Sequence, residues 1–381
     1  MLPKTILHLG AAALFCLLAA CSGNKPEEDP VIAPPRFLLM GGDISELSYV
    51  EQNGGKYYYQ DGKEGDCLKI LQDAGFNFAR LRLYNDPGNP DYSPSKRLPA
   101  GIQDEADVLA LAKRAKAAGM KLELTFHYSD YWTNGGNQTR PHEWEGLDYA
   151  ALKQAVYDYT YQFMKDMAAQ GTTPEYVSPG NEIQGGILFP DGKYDKPAQM
   201  CELLAAGAKA VRDAAPSAKI VIHLDDGGNL DKYTWFFGLL DQYGVPYDVI
   251  GTSYYPFWTK KNVAEFMSFA NKLLEIYPNK EMIVMETGYA WNPTLPSGKS
   301  GQLSNNGPYP SMTKEGQKAF MQELVDGLRA HPRILGFLYW DPIFIEVPGL
   351  GWELGASNVV SNTTLFDFQG KALPVLDVFK Q

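Results

Sequence analysis

Two glutamates stand out as the chemical pair of this chain. Glu182 follows Pro179, Gly180 and Asn181, and Glu286 closes the apolar run that begins at Met282. Paired carboxyl groups suit cleavage of a glycosidic bond. One gives a proton to the leaving oxygen, and the other acts beneath the sugar ring. In a double displacement the two carboxyls stand about 5–5.5 Å apart and the second is a nucleophile. Glu182 is the expected acid/base and Glu286 the expected nucleophile. While Glu286 is ionised, its charge raises the pKa of Glu182 and keeps it protonated. Once Glu286 carries the sugar, that charge is gone and Glu182 turns base toward water. Around this pair, Arg80 is expected to hold Glu286 ionised, Tyr255 to donate to it, and Asn181 to donate to the sugar 2-hydroxyl. His127 and His223 are candidate substrate donors, and Asp43 and Asp130 candidate substrate contacts. Trp132 and Trp340 are the leading platforms for a sugar face. Trp258, Trp291 and Trp352 are weaker ones, in loops that line the cleft or pack. A His-His-Asp metal set lacks any ligand spacing, so neither metal nor cofactor is expected.

These residues need elements that bring them to one place. Short apolar runs predict strands over 37–44, 76–84, 121–127, 176–179, 219–223, 248–254, 282–286 and 334–340. Amphipathic helical spacing falls between them, over 105–118, 151–169, 198–214, 263–276 and 314–330. Gly75, Gly119 and Gly171 stand where helices stop before the next strand. Strands alternating with helices imply a parallel sheet with crossovers. Eight such units suit an α/β fold of the closed (β/α)8 TIM barrel type, with one catalytic domain over 36–381. In that architecture the site lies at the C-terminal ends of the strands. Every candidate named above falls at or near such an end, apart from the loop tryptophans. No G-x-G-x-x-G or phosphate loop supports a nucleotide fold.

The composition agrees. The chain has 381 residues and a formal net charge of -11, which argues against nucleic acid and polyanionic partners. A neutral sugar polymer is compatible with it. The 23 Tyr, 18 Phe and 7 Trp supply rings for a sugar cleft, although most must fill the core.

The N-terminus reads as a targeting segment. Lys4 precedes an apolar run from Ile6 to Ala20, too short to span a bilayer comfortably. It ends in Leu18-Ala19-Ala20-Cys21, similar to a bacterial lipobox. Residues 1–20 are therefore expected to be a lipoprotein signal peptide, and 21–35 a lipidated Cys21 with a proline-rich tether. The protein is expected at the outer membrane, on the cell surface of a Gram-negative bacterium, as a monomer. Cys67 and Cys201 are expected as two buried thiols.

At its motifs the chain resembles the endo-β-1,4-galactanases of glycoside hydrolase family 53. The segments that carry the resemblance are GGDIS at 41–45, DAGFNFARLRLYNDP at 73–87 and LAKRAKAAGMKLELTFHYSDYW at 111–132. GNEIQGG at 180–186, IHLDDGG at 222–228, DVIGTSYYPFW at 248–258, VMETGY at 284–289 and TLFDFQGKALPVLDVF at 364–379 complete them. The resemblance implies a retaining, endo-acting enzyme on β-1,4-galactan side chains of pectin, with Glu182 and Glu286 in the roles given above. It departs from the family at Pro179 and at Asp341, where a glutamate is usual, and the latter bears on the outer wall of the cleft. Some family members bind calcium after strand seven. Residues 290–312 contain no Asp or Glu, so no calcium is expected there. A mannan- or cellulose-cleaving enzyme and a non-catalytic glycan-binding lipoprotein are the alternatives.

Overall fold

In the computed structural model, which describes residues 37–93 and 96–380, eight parallel strands close on themselves. They are β1 (Leu39–Asp43), β2 (Phe78–Leu83), β3 (Lys121–Phe126), β4 (Tyr176–Pro179), β5 (Lys219–Leu224), β6 (Val249–Ser253), β7 (Glu281–Thr287) and β8 (Ile334–Tyr339). Closure is direct, since β1 pairs with β2 on one side and β8 on the other. All eight predicted strands are present, with ends displaced by at most two residues.

Helices cover the outside: α1 (Cys67–Asp73), α2 (Glu105–Ala117), α3 (Tyr149–Ala169), α4 (Pro197–Ala214), α5 (Leu230–Tyr243), α6 (Val263–Ile276) and α7 (Lys314–Arg329). A 3-10 turn at Pro374–Phe379 closes the ring against α7. Among the described residues no helix is long and apolar enough to cross a membrane. The helix expected to stop at Gly75 is α1, whereas α5 was not expected from periodicity. In α5 the run LDKYTWFFGLLDQY is poor in strong helix formers, because aromatic side chains lose rotamer freedom in a helix. Packing overrides that preference. Tyr233, Phe236, Phe237 and Leu240 form one buried stripe, Asn229 caps the first turn, and Gly244 ends the helix at φ 69°.

The strands sort their side chains by the period of two. Along β2, Ala79, Leu81 and Leu83 join the layer between barrel and helices, whereas Phe78, Arg80 and Arg82 point inward. Leu39, Phe78, Tyr176, Val221, Val249, Ile283, Met285 and Leu338 form a separate apolar cluster drawn from seven strands, the floor of the barrel interior. Above that floor the interior turns polar, with Arg80, Glu123, Thr125, Ser178 and His223 all buried. Cys67 and Cys201 are free and buried, in different helices.

Candidate active site

Arg80 is the hub of the polar layer. It is fully buried, and its Nη1 donates to Glu286 Oε1 at 2.7 Å. Its Nη2 donates to Asn181 Oδ1 at 2.7 Å and its Nε to Thr125 Oγ1 at 3.1 Å. Tyr255 donates its phenol to Glu286 Oε2 at 3.1 Å. Burial raises the Glu286 carboxyl above the usual range, while Arg80 and Tyr255 pull it back down. A bulge aligns the residues. The β6–β7 register slips by one residue between Thr252 and Ser253, so Ser253 comes opposite Glu286.

Glu182 enters from β4 across the barrel. Its backbone is left-handed, at φ 47° and ψ 57°, a conformation that strains a non-glycine residue. Gly180, at φ 124°, turns the chain into that position; a Cβ there would lie 2.5 Å from Ile183. Glu182 Oε1 contacts Ser253 Oγ at 2.7 Å. Burial, followed by the charge of Glu286, pushes the Glu182 carboxyl up to about 8. Glu286 holds an arginine and a phenol as donors, which favour its charged form. One carboxyl is thus poised to give a proton and the other to carry charge.

The two glutamates open onto a cleft of about 870 Å³. Its aromatic side is built around Arg82, whose guanidinium lies 4.7 Å from the Trp132 ring and 4.5 Å from that of Trp340. Asp341 binds Arg82 at 2.8 Å and accepts from the Trp352 indole at 2.8 Å. The aspartate that departs from the family pattern is therefore fully buried and holds the aromatic wall from behind. Trp258 also lines the cleft and is 58% exposed, so its ring is open to a ligand.

Of the residues expected from the sequence, Glu182, Glu286, Asn181, Tyr255, Trp132 and Trp340 line this cleft, as do Trp258 and Trp352. Arg80 and His223 lie directly beneath it, bonded to its lining. His127 is buried against Tyr84, with Nδ1 bonded to Thr133 and Nε2 without a protein partner. Three of the candidates do not line the cleft. Asp43 is buried and pairs with Arg82 at 3.1 Å, so its charge is spent inside the barrel. Asp130 is buried and accepts from the backbone N–H groups of Asp86 and His142, stapling two loops together. Trp291 packs on Phe368 away from the cleft.

Other lining residues were not anticipated. Ser253 sits at a strand end two residues before Tyr255, a position that carried the signal. Gln184, Lys232 and the loop at 133–137 gave none, since they reach the cleft only through the fold. Among the described residues, one trio could offer atoms to a metal: Glu182, His223 and Glu286, with ligand atoms within 4.8 Å of one another. Their chemistry fits a different use. Both His223 nitrogens and both Glu286 oxygens already have protein partners.

Comparison with known proteins agrees with this fold. The chain is similar to a solved GH53 catalytic domain from Ignisphaera aggregans, with a TM-score of 0.86 and 37% identity over 92% of this chain and 98% of that one. It is similar to a solved fungal β-1,4-galactanase at a TM-score of 0.75 and 30% identity, over 89% of this chain and 98% of that one. A Bacillus subtilis protein named endo-β-1,4-galactanase is 29% identical over 90% of this chain and 85% of its own length. The profile of glycosyl hydrolase family 53 matches residues 39–379, from the first barrel strand to the closing 3-10 turn, and the chain belongs to that family.

Proposed function

We propose that this protein is a retaining endo-β-1,4-galactanase in which Glu182 is the acid/base and Glu286 the nucleophile. The observation that carries the mechanism is the closeness of the two carboxyls, with one oxygen of each within 4.8 Å of the other. An inverting pair leaves room for a water between its carboxyls, at about 6.5–9.5 Å. The split environments support the roles: Arg80 and Tyr255 on Glu286, burial and a neighbouring charge on Glu182. In the first step Glu286 attacks the anomeric carbon and Glu182 protonates the leaving oxygen. In the second, Glu182 takes a proton from water as the water displaces Glu286. Asn181 keeps one amide hydrogen on the Thr133 carbonyl and has a second to offer the sugar. His127 Nε2, Trp132 and Trp340 complete the contacts. Relatives named endo-β-1,4-galactanase support β-1,4-galactan as the substrate.

The test uses residues 22–381 with linear β-1,4-galactan, mannan, xylan and soluble cellulose. Mixed short oligosaccharides from galactan alone, lost in Glu182→Ala and Glu286→Ala, are expected. Cleavage confined to mannan or cellulose would overturn the substrate. Galactan binding without cleavage would overturn the enzyme.

We also propose that Cys21, which lies outside the described residues with the rest of 1–36, is lipidated and anchors the protein to the outer membrane at the cell surface. Its replacement by alanine should move the protein from the membrane fraction into the soluble fraction. Continued membrane attachment would contradict the anchor.

A further inference from the structure

Ser253 contacts Glu182, and His223 contacts Ser253, in a way that double displacement does not itself require. Ser253 Oγ lies 2.7 Å from Glu182 Oε1 and 2.9 Å from His223 Nε2. His223 Nδ1 lies 3.1 Å from Asn181 Oδ1. Both residues are buried. A serine hydroxyl has a single proton, so it donates to one of these neighbours and accepts from the other.

The direction is set from the far end of the chain of contacts. Asn181 Nδ2 donates to the Thr133 carbonyl at 2.9 Å, and Asn181 Oδ1 accepts from Arg80 at 2.7 Å. A carbonyl only accepts and an arginine only donates, so both ends agree on the amide orientation. Asn181 Oδ1 is an acceptor, and His223 Nδ1 therefore carries a hydrogen. Burial and then Arg80 drive the His223 pKa well below the usual range, so the ring is neutral. A neutral ring protonated at Nδ1 offers a lone pair at Nε2. Ser253 gives its proton there. Glu182 then meets the serine lone pairs at 2.7 Å, an oxygen–oxygen contact that requires a hydrogen. The remaining source is the carboxylic proton of Glu182 itself. A serine that donated to Glu182 would favour the carboxylate; here the histidine takes that proton.

We propose that Ser253 and His223 are positioning residues: they turn the serine hydroxyl away from Glu182 and so hold the acid/base in its protonated form between turnovers. This inference rests on Glu182 being the acid/base. When Glu182 has lost its proton, the serine hydroxyl must rotate to donate to it, and His223 Nε2 loses its donor. The device therefore favours the acid and makes the base transient. The other groups facing Glu182 are Glu286 on β7, Asp225 beyond β5, Arg80 on β2 and the Tyr255 and Tyr233 phenols. Lys232 on α5 neutralises part of Asp225. None of these is altered by removing the serine hydroxyl.

The test is the pH profile of kcat/KM for Ser253→Ala. The basic limb is expected to move to lower pH by about one unit, because the Glu182 proton loses its acceptor. Ser253→Thr, which keeps the hydroxyl, is expected to restore it. A limb that stays in place or moves to higher pH would overturn the inference. A second measurement needs no change in the site: 15N NMR of the wild-type histidines. His223 is expected neutral and protonated at Nδ1 from pH 5 to 8; an Nε2–H tautomer or an imidazolium would overturn the proposal. The acid/base role is checked separately. If azide fails to restore turnover of an aryl galactoside by Glu182→Ala, that role fails, whereas the tautomer result stands independently.

Discussion

A single arginine favours charge on Glu286. Arg80 bonds Glu286 directly, and its hydrogen bonds reach Glu182 by way of Asn181, His223 and Ser253. Two predictions belong to these residues. With the roles proposed above, activity needs Glu182 protonated, so kcat/KM should fall as pH rises through about 8; a profile flat to pH 10 would contradict the assignment. Arg80→Met should raise the Glu286 carboxyl, because burial is then opposed by the Tyr255 phenol without the arginine. The acidic limb of the profile should move to higher pH, and kcat/KM should drop by about 10²–10³-fold, the scale of losing one preorganised charge contact. Circular dichroism would establish that the variant is folded. An unmoved acidic limb in a folded variant would remove Arg80 from its role.

At the scale of elements, strand ends do the positioning. Tyr128, Glu182, Asp226 and Asp341 all follow strands and all have left-handed backbones. Each such position costs about 1–3 kcal/mol and persists where the surroundings impose it. Gly180 makes the turn for Glu182 without that cost. Gly180→Ala should destabilise by about 1–3 kcal/mol and lower kcat more than it changes KM, because Glu182 is displaced. Thermal unfolding and steady-state kinetics would check both, and an unchanged melting temperature would contradict the strain.

The eight strands were legible because inward and outward residues alternate or run apolar over matching lengths. Glu182, Glu286, Arg80, Tyr255 and Asn181 were legible because a barrel places strand ends in one ring. Asp43 and Asp130 looked equally exposed to that ring. Their burial depends on Arg82 and on a loop staple, neither of which has a local signature. Helix α5 was hidden by its aromatics, and with it went Lys232, which reaches the cleft from its first turn.

The whole molecule carries an excess of buried acid. Asp43, Glu46, Glu123, Glu286 and Asp341 share two arginines, Arg80 and Arg82. Burial drives the Glu123 carboxyl up to about 7, with Arg80 opposing, and raises Glu46 and Asp341 as well. Carboxyls raised on folding stabilise the fold fully below their unfolded value, near 4.5 for Glu123, and lose that contribution as pH rises through the folded value. Stability should therefore decline between about pH 4.5 and 7, with Glu123 alone contributing on the order of 3 kcal/mol. Urea unfolding at pH 5 and pH 8 would measure the decline. Glu123→Gln mimics the neutral form and should flatten part of the slope; an unchanged slope would mean that Glu123 is ionised in the native state. Double displacement, as proposed above, hydrolyses galactan with net retention. Its most direct test is the anomeric form of the first product released from β-1,4-galactan, followed by 1H NMR before mutarotation. The β-anomer appearing first is the predicted result, and the α-anomer appearing first would contradict it.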